Sequence, residues 1–167
     1  MDADGRTDSI AVVGMGNLLM QDDGVGIHVL EALRQEAKDG VELIDGGTDA
    51  WAALWEARRC CHLLVLDAVR GGGEPGTVYR LDLDGVEAPG AKWSLHDVNL
   101  VHAIGLDEAL GGRFETVTVL GMEPGQVEPG IGLSEPCRRA LPRLVRAALS
   151  EVQKVRHTEK VPGAQPC

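Results

Sequence analysis

The run Gly14-Met15-Gly16-Asn17-Leu18-Leu19-Met20-Gln21-Asp22-Asp23-Gly24-Val25-Gly26 follows directly on the apolar stretch Ile10 to Val13 and carries two adjacent carboxylates. A glycine-rich turn between strand and helix ordinarily aims backbone N–H groups and the positive end of the helix at a phosphate. Acids placed there repel that ligand and suit a cation. The dinucleotide fingerprint also fails on spacing, since G-x-G-x-x-G begun at Gly14 requires glycine where Leu19 stands. Asp45, ending the next apolar run, stands where a ribose-binding acid would, and it keeps a nucleotide-binding α/β enzyme as a competing reading. Taken alone, Asp22 and Asp23 are most simply explained as negative charge at a helix N-terminus.

A second acid, Asp67, ends His62-Leu63-Leu64-Val65-Leu66, whose near-continuous hydrophobicity predicts a strand covered on both faces. In open α/β sheets ligands collect outside the carboxyl ends of the strands, and Asp23 and Asp67 both follow strands in that sense. Convergence of the two is one reading of Asp67; a turn cap, or an acceptor for the first glycine-rich loop, is the other. None of the five histidines belongs to H-E-x-x-H or H-x-x-E-H, so the helical zinc-protease layout is absent. His28 and His102 fall in predicted helices, His62 starts a strand and His157 is in the tail. His96 sits in Trp93-Ser94-Leu95-His96-Asp97-Val98-Asn99, a polar connection into a helix that Asp97 is placed to cap, and a surface histidine is its default reading.

The elements that must position these groups alternate in type. Strands are predicted near Ile10–Val13, Val41–Ile44, Leu63–Leu66, Val78–Leu81 and Thr116–Leu120. Helices are predicted near Val25–Lys38, Ala50–Arg58, Asn99–Leu110 and Glu135–Val155, with Val29, Leu30 and Leu33 facing the sheet. This is the pattern of a single three-layer α/β domain, a mostly parallel twisted sheet of about five strands flanked by helices. The domain is expected over residues 9–155, with flexible tails at 1–8 and 156–167. Glycine clusters at Gly46-Gly47, Gly71 to Gly76 and Gly111-Gly112 mark turns, and Gly121 to Gly132 forms a longer loop.

A chain of 167 residues with 44% hydrophobic content can bury one sizeable core. Its formal net charge of −10 opposes non-specific nucleic-acid binding, and Trp51, Trp55, Trp93, Tyr79 and Phe114 are too few for a base-stacking platform. No apolar run approaches the roughly 20 residues that span a bilayer, and Met1 to Asp8 lacks the order of a signal peptide, so a cytoplasmic chain without membrane partners is expected. Cys60, Cys61, Cys137 and Cys167 form no C-x-x-C pair, and idle thiols are expected rather than a disulfide framework or a thiolate zinc site. No nucleophile occupies a Ser-His-Asp or Cys-His order in a strained turn, which argues against covalent catalysis.

The ordered set G-x-G-N-x-L-x-x-D-[DE]-x-x-G (Gly14 to Gly26), Asp45-Gly46-Gly47-Thr48, Leu63 to Ala68, Pro75-Gly76-Thr77 and Ser94-Leu95-His96 resembles the maturation proteases of nickel-iron hydrogenases. Leu120 to Pro124 and Glu128-Pro129-Gly130-Ile131-Gly132-Leu133-Ser134 extend the resemblance, which covers about Ser9 to Val152. It implies an endopeptidase that removes a C-terminal extension from the hydrogenase large-subunit precursor once nickel is in place. It also implies that Asp23, Asp67 and His96 contact the metal and carry catalysis. The first of these is glutamate in some relatives; aspartate reaches one methylene less.

Two carboxylates and an imidazole form an O,O,N donor set suited to nickel or zinc, and cadmium is a further expected occupant. Three protein ligands leave a position open, either for a water made nucleophilic or for a metal already ligated by the substrate. The resemblance favours nickel supplied by the precursor. Asn17, Asp22 and Asp97 are candidates for orienting the trio, and Gly46, Gly47 and Thr48 for keeping the cleft open to an extended peptide. A non-catalytic metal-site chaperone is the third reading.

Overall fold

The computed structural model describes residues 7–36, 40–82 and 114–158. Strands β1 (Thr7–Met15), β2 (Val41–Gly47), β3 (Cys60–Ala68), β4 (Val78–Asp82) and β5 (Thr116–Met122) form one sheet in the order β2-β1-β3-β5-β4. All neighbours are parallel except β4, which runs antiparallel to β5 at the edge. Helices α1 (Val25–Leu33), α2 (Ala50–Ala57) and α3 (Glu135–Thr158) complete the described elements. The result is the expected α/β domain with a mostly parallel five-stranded sheet.

The sequence pattern accounts for the layers. Every residue of β3, the central strand, is buried, as a near-continuous apolar run requires. Its odd-numbered residues Leu63 and Val65 join Ala11 and Val13 of β1 under Ala50, Ala53, Leu54 and Ala57 of α2. Its even-numbered Leu64 and Leu66 join Val12, Leu120 and Met122 beneath α1 and α3, where Val29, Leu30 and Leu33 meet Leu144 and Ala148. One face therefore carries α2 and the other α1 with α3.

Element bounds differ from the sequence expectation in ways that matter for the site. Helix α1 stops at Leu33, the last residue to reach the core, and Glu36 N closes a tighter turn on Leu33 O at 2.9 Å. Asp49 starts α2 by accepting a 3.0 Å bond from Ala52 N. Strand β3 runs through Asp67, because the ladder to β5 continues as Asp67 opposite Gly121 and Ala68 opposite Met122. Helix α3 extends past Val155 to Thr158, into the expected tail. Edge strand β4 is tied to α3 by Arg80, whose Nε and a terminal nitrogen bond both carboxylate oxygens of buried Glu151 at 3.0 and 3.1 Å. Cys60 and Cys137 are buried free thiols. Cys61 is disulfide-bonded, against the expectation of idle thiols throughout. The expected helix Asn99–Leu110 lies outside the described residues.

Candidate active site

Two glycines in the Gly14–Gly26 segment allow its acids to reach the carboxyl ends of the strands. Gly26, in the first turn of α1, packs so closely on the sheet that a Cβ there would lie 2.1 Å from Leu66 O and 2.4 Å from Met15 O. The start of α1 thus rests directly on the ends of β3 and β1. Gly16 has φ +123°, a conformation side chains disfavour, and a Cβ on it would lie 1.8 Å from Asp23 O. Between them, Gln21–Gly24 makes a short 3₁₀ turn carrying both acids, and that turn packs on β3. Gln21 enters it with φ +49°, the one non-glycine positive φ among the described residues.

The two adjacent acids do different work. Asp22 is fully buried and accepts four hydrogen bonds, from Gly125 N and Gln126 N at 2.8 Å and from Ser134 N and Ser134 Oγ at 2.7 Å. Burial alone raises a carboxyl pKa, but the bonds from the Ser134 side chain and from the backbone of Gln126, Ser134 and Gly125 outweigh it and hold Asp22 below its usual 3.8. Asp22 is a staple that fixes the loop after β5. That loop is further pinned by an isolated bridge between Met20 and Gly130, with Gly130 N donating to Leu19 O and Gln21 N to Gly130 O. Neither helix-terminal charge nor orientation of a metal ligand is needed to explain Asp22.

Asp23 is 7% exposed, and its Oδ2 accepts from Asn17 N at 2.9 Å, which folds the glycine-rich turn back over it. Asp67 is 1% exposed and its Oδ1 accepts from Ala68 N at 2.8 Å. Gly14 of β1 pairs with Leu66 of β3, so the ends of these strands lie side by side, and Asp67 follows Leu66 directly. Asp23 and Asp67 therefore occupy the same carboxyl edge of the sheet, at adjacent central strands. Among the described residues no group of three or more His, Cys, Asp or Glu side chains is placed to hold a metal ion. His96 and Asp97 lie outside the described residues.

The remaining candidates have local explanations. Asp45 is exposed and accepts from Gly47 N at 3.1 Å, closing its own turn at the end of β2, so its position needs no ribose to explain it. His62 bonds Thr116 Oγ1 through Nδ1 at 2.9 Å and lies 3.6 Å from a Glu115 oxygen, contacts that give it a structural role at the start of β3. Glu123, quoted above only within a motif, proves to organise the loop after β3. Its Oε2 accepts from Gly71 N at 2.7 Å, Gly72 N at 3.0 Å, Gly73 N at 3.3 Å and the Tyr79 hydroxyl at 2.7 Å. The signal for it was present: three consecutive glycine N–H groups without competing side chains call for an anionic acceptor.

A family model described as hydrogenase maturation protease matches residues 27–151, most of the described domain. The chain belongs to the hydrogenase maturation protease family. The match includes Asp67 and the position of His96, and begins just after Asp23. Among relatives of this family, the hydrogenase 2 maturation protease of Escherichia coli strain K12 is 34% identical over 129 residues, covering 75% of this chain and 79% of the relative. The hydrogenase expression/formation protein HoxM of Azotobacter vinelandii is 34% identical over 148 residues, covering 84% and 70%. The hydrogenase maturating endopeptidase HybD of Escherichia coli superposes with a TM-score of 0.78 at 29% identity, over 87% of this chain and 93% of that one. Among the described residues no helix is long and apolar enough to cross a membrane.

Proposed function

We propose that this hydrogenase maturation protease removes the C-terminal extension of a nickel-iron hydrogenase large-subunit precursor after nickel insertion. In this reading Asp23, Asp67 and His96 contact nickel carried by the precursor. The supporting observation is the shared carboxyl edge of β1 and β3, where two buried acids from distant parts of the chain are held by the tight seat of α1 on the sheet. With the imidazole of His96 they give the O,O,N donor set that suits a borderline divalent ion. Nickel is then part of the substrate. Protein groups that engage only the loaded precursor make affinity, and hence cleavage, depend on loading.

The chain's own contribution is rigid placement. Asn17 N orients Asp23, Ala68 N orients Asp67, and the staple at Asp22 holds the neighbouring loop. Zinc and cadmium share the donor preference and are expected to compete for the same three groups. Incubation with nickel-loaded and nickel-free precursor, followed by mass spectrometry, tests the reading. A shortened product is expected only from the loaded form, and equal cleavage of both would exclude nickel as the recognition element. Asp67→Asn and His96→Ala are expected to abolish processing while keeping a cooperative thermal transition; normal cleavage by both would remove them from the site. Binding of the precursor without mass loss would instead identify a metal-site chaperone.

A further inference from the structure

One cavity has a lining that includes neither Asp23 nor Asp67. It has a volume of about 520 Å³ and is lined by Pro75, Gly76 and Thr77 before β4 and by Arg139, Arg143 and Arg146 of α3, with Pro136 and Ala140 completing the lining. In a chain of net charge −10 this concentration of guanidinium groups is local and unusual. Arg139 lies 3.5 Å from Glu135, which partly offsets its charge. Arg143 donates to Gly76 O at 2.8 Å, a neutral carbonyl, and neither it nor Arg146 forms an ion pair with a carboxylate among the described residues. Two guanidiniums with no carboxylate partner among the described residues, set beside apolar lining, are the chemistry of a carboxylate pocket.

Its place in the fold links it to the acids. Asp67 pairs with Gly121, and Gly121 pairs with Tyr79, so the three form one row across β3, β5 and β4. Two strand spacings of about 4.8 Å put Tyr79 roughly 10 Å from Asp67, and the pocket's Thr77 lies just beyond it. An extended peptide rising about 3.3 Å per residue covers that span in roughly three to five residues.

We propose that this pocket binds a carboxylate of the substrate peptide about three to five residues from the cleaved bond, the estimate following from the strand spacing. The inference rests on the protease reading for the identity of the peptide. The carboxylate has two sources, an acidic side chain or the terminal carboxylate of the extension. A fluorescent peptide spanning the precursor's cleavage site and extension is titrated by anisotropy against the full-length protein. Parallel peptides have either the acidic side chains replaced by amides or the C-terminus amidated.

Arg146→Gln, which disturbs no hydrogen bond described here, and Arg143→Gln/Arg146→Gln are expected to weaken binding of the charged peptide about tenfold. They should leave binding of whichever neutralised peptide has lost the recognised group unchanged. The loss should shrink in high salt. Equal binding of all three peptides, or binding unaffected by both variants at an unchanged thermal midpoint, would overturn the proposal. Because the readout is binding, a failure of wild-type protein to shorten the precursor is recorded separately and counts against the protease reading alone.

Discussion

Replacing Asp22 tests whether the loop after β5 depends on one buried carboxylate. Its two oxygens receive four donors at 2.7–2.8 Å in a fully buried setting. A hydrogen bond to a charged group contributes about 1.5–3 kcal/mol, so a simple sum would be roughly 6–12 kcal/mol. Such bonds are not additive, and water entering the gap recovers part of the loss. Breaking a buried charged network by removing one member typically costs about 3–5 kcal/mol, and that is the expected destabilisation of Asp22→Ala.

Asp22→Asn is nearly isosteric and discriminates charge from shape. Oδ1 faces Ser134 N while Oδ2 faces Gly125 N and Gln126 N, so whichever way the amide turns, its NH₂ meets an N–H donor. The asparagine variant should therefore lose at least about 2 kcal/mol, whereas Ser134→Ala, which deletes only the hydroxyl bond, should lose about 1–2 kcal/mol. Urea unfolding followed by circular dichroism reads these values from the midpoint at constant slope. In a domain of this size the alanine variant's melting temperature should fall by on the order of 10 °C. A loss below about 1 kcal/mol for Asp22→Asn would refute the staple, since no arrangement of an amide satisfies these donors.

Gly26→Ala should abolish soluble folded protein or displace α1 from the sheet, because its Cβ would lie within 2.4 Å of two carbonyl oxygens; a wild-type melting curve would contradict the packing. Asp45→Asn should leave stability within about 0.5 kcal/mol, its carboxylate being exposed and engaged only in its own turn, and a larger loss would show a hidden role. Arg80→Ala should destabilise by about 1–2 kcal/mol by leaving buried Glu151 with Lys154 alone, as measured by urea midpoint. Acid should also destabilise the protein. Asp22, Asp82 and Glu151 are held below their usual values of 3.8, 3.8 and 4.5, so their contribution is complete above about pH 4.5 and is lost as pH falls through the lowered folded-state values. A urea midpoint unchanged between pH 7 and pH 3.5 would contradict that sign.

The layers of the fold were legible because period carries them: Leu63 to Leu66 read as a strand covered on both faces, and Val29, Leu30 and Leu33 as the inward stripe of α1. The edge position of Asp67 followed from the same rule. What the sequence did not disclose was the division of labour between Asp22 and Asp23. Both are acids at one turn, and only the fold reveals that Asp22 finds its donors 103 to 112 residues away while Asp23 folds back on Asn17. Glu123 was missed for the same reason, since its glycine partners lie 50 to 52 residues upstream. Periodicity reports which face a residue takes, and hydrogen bonds across such separations leave no periodic trace.

The staple has a consequence for how the enzyme is made. A nascent chain that has emerged only as far as Asp82 already contains both acids and four of the five strands, yet β4 has no neighbour until β5 arrives, and Asp22 has no loop to grasp until Ser134 is out. Contacts of this sequence separation form late. The turn that carries Asp22 and Asp23 is therefore locked only after the chain has passed Ser134, and a ribosome-bound fragment ending at Asp82 should leave Asp22 without the donors of Gly125, Gln126 and Ser134.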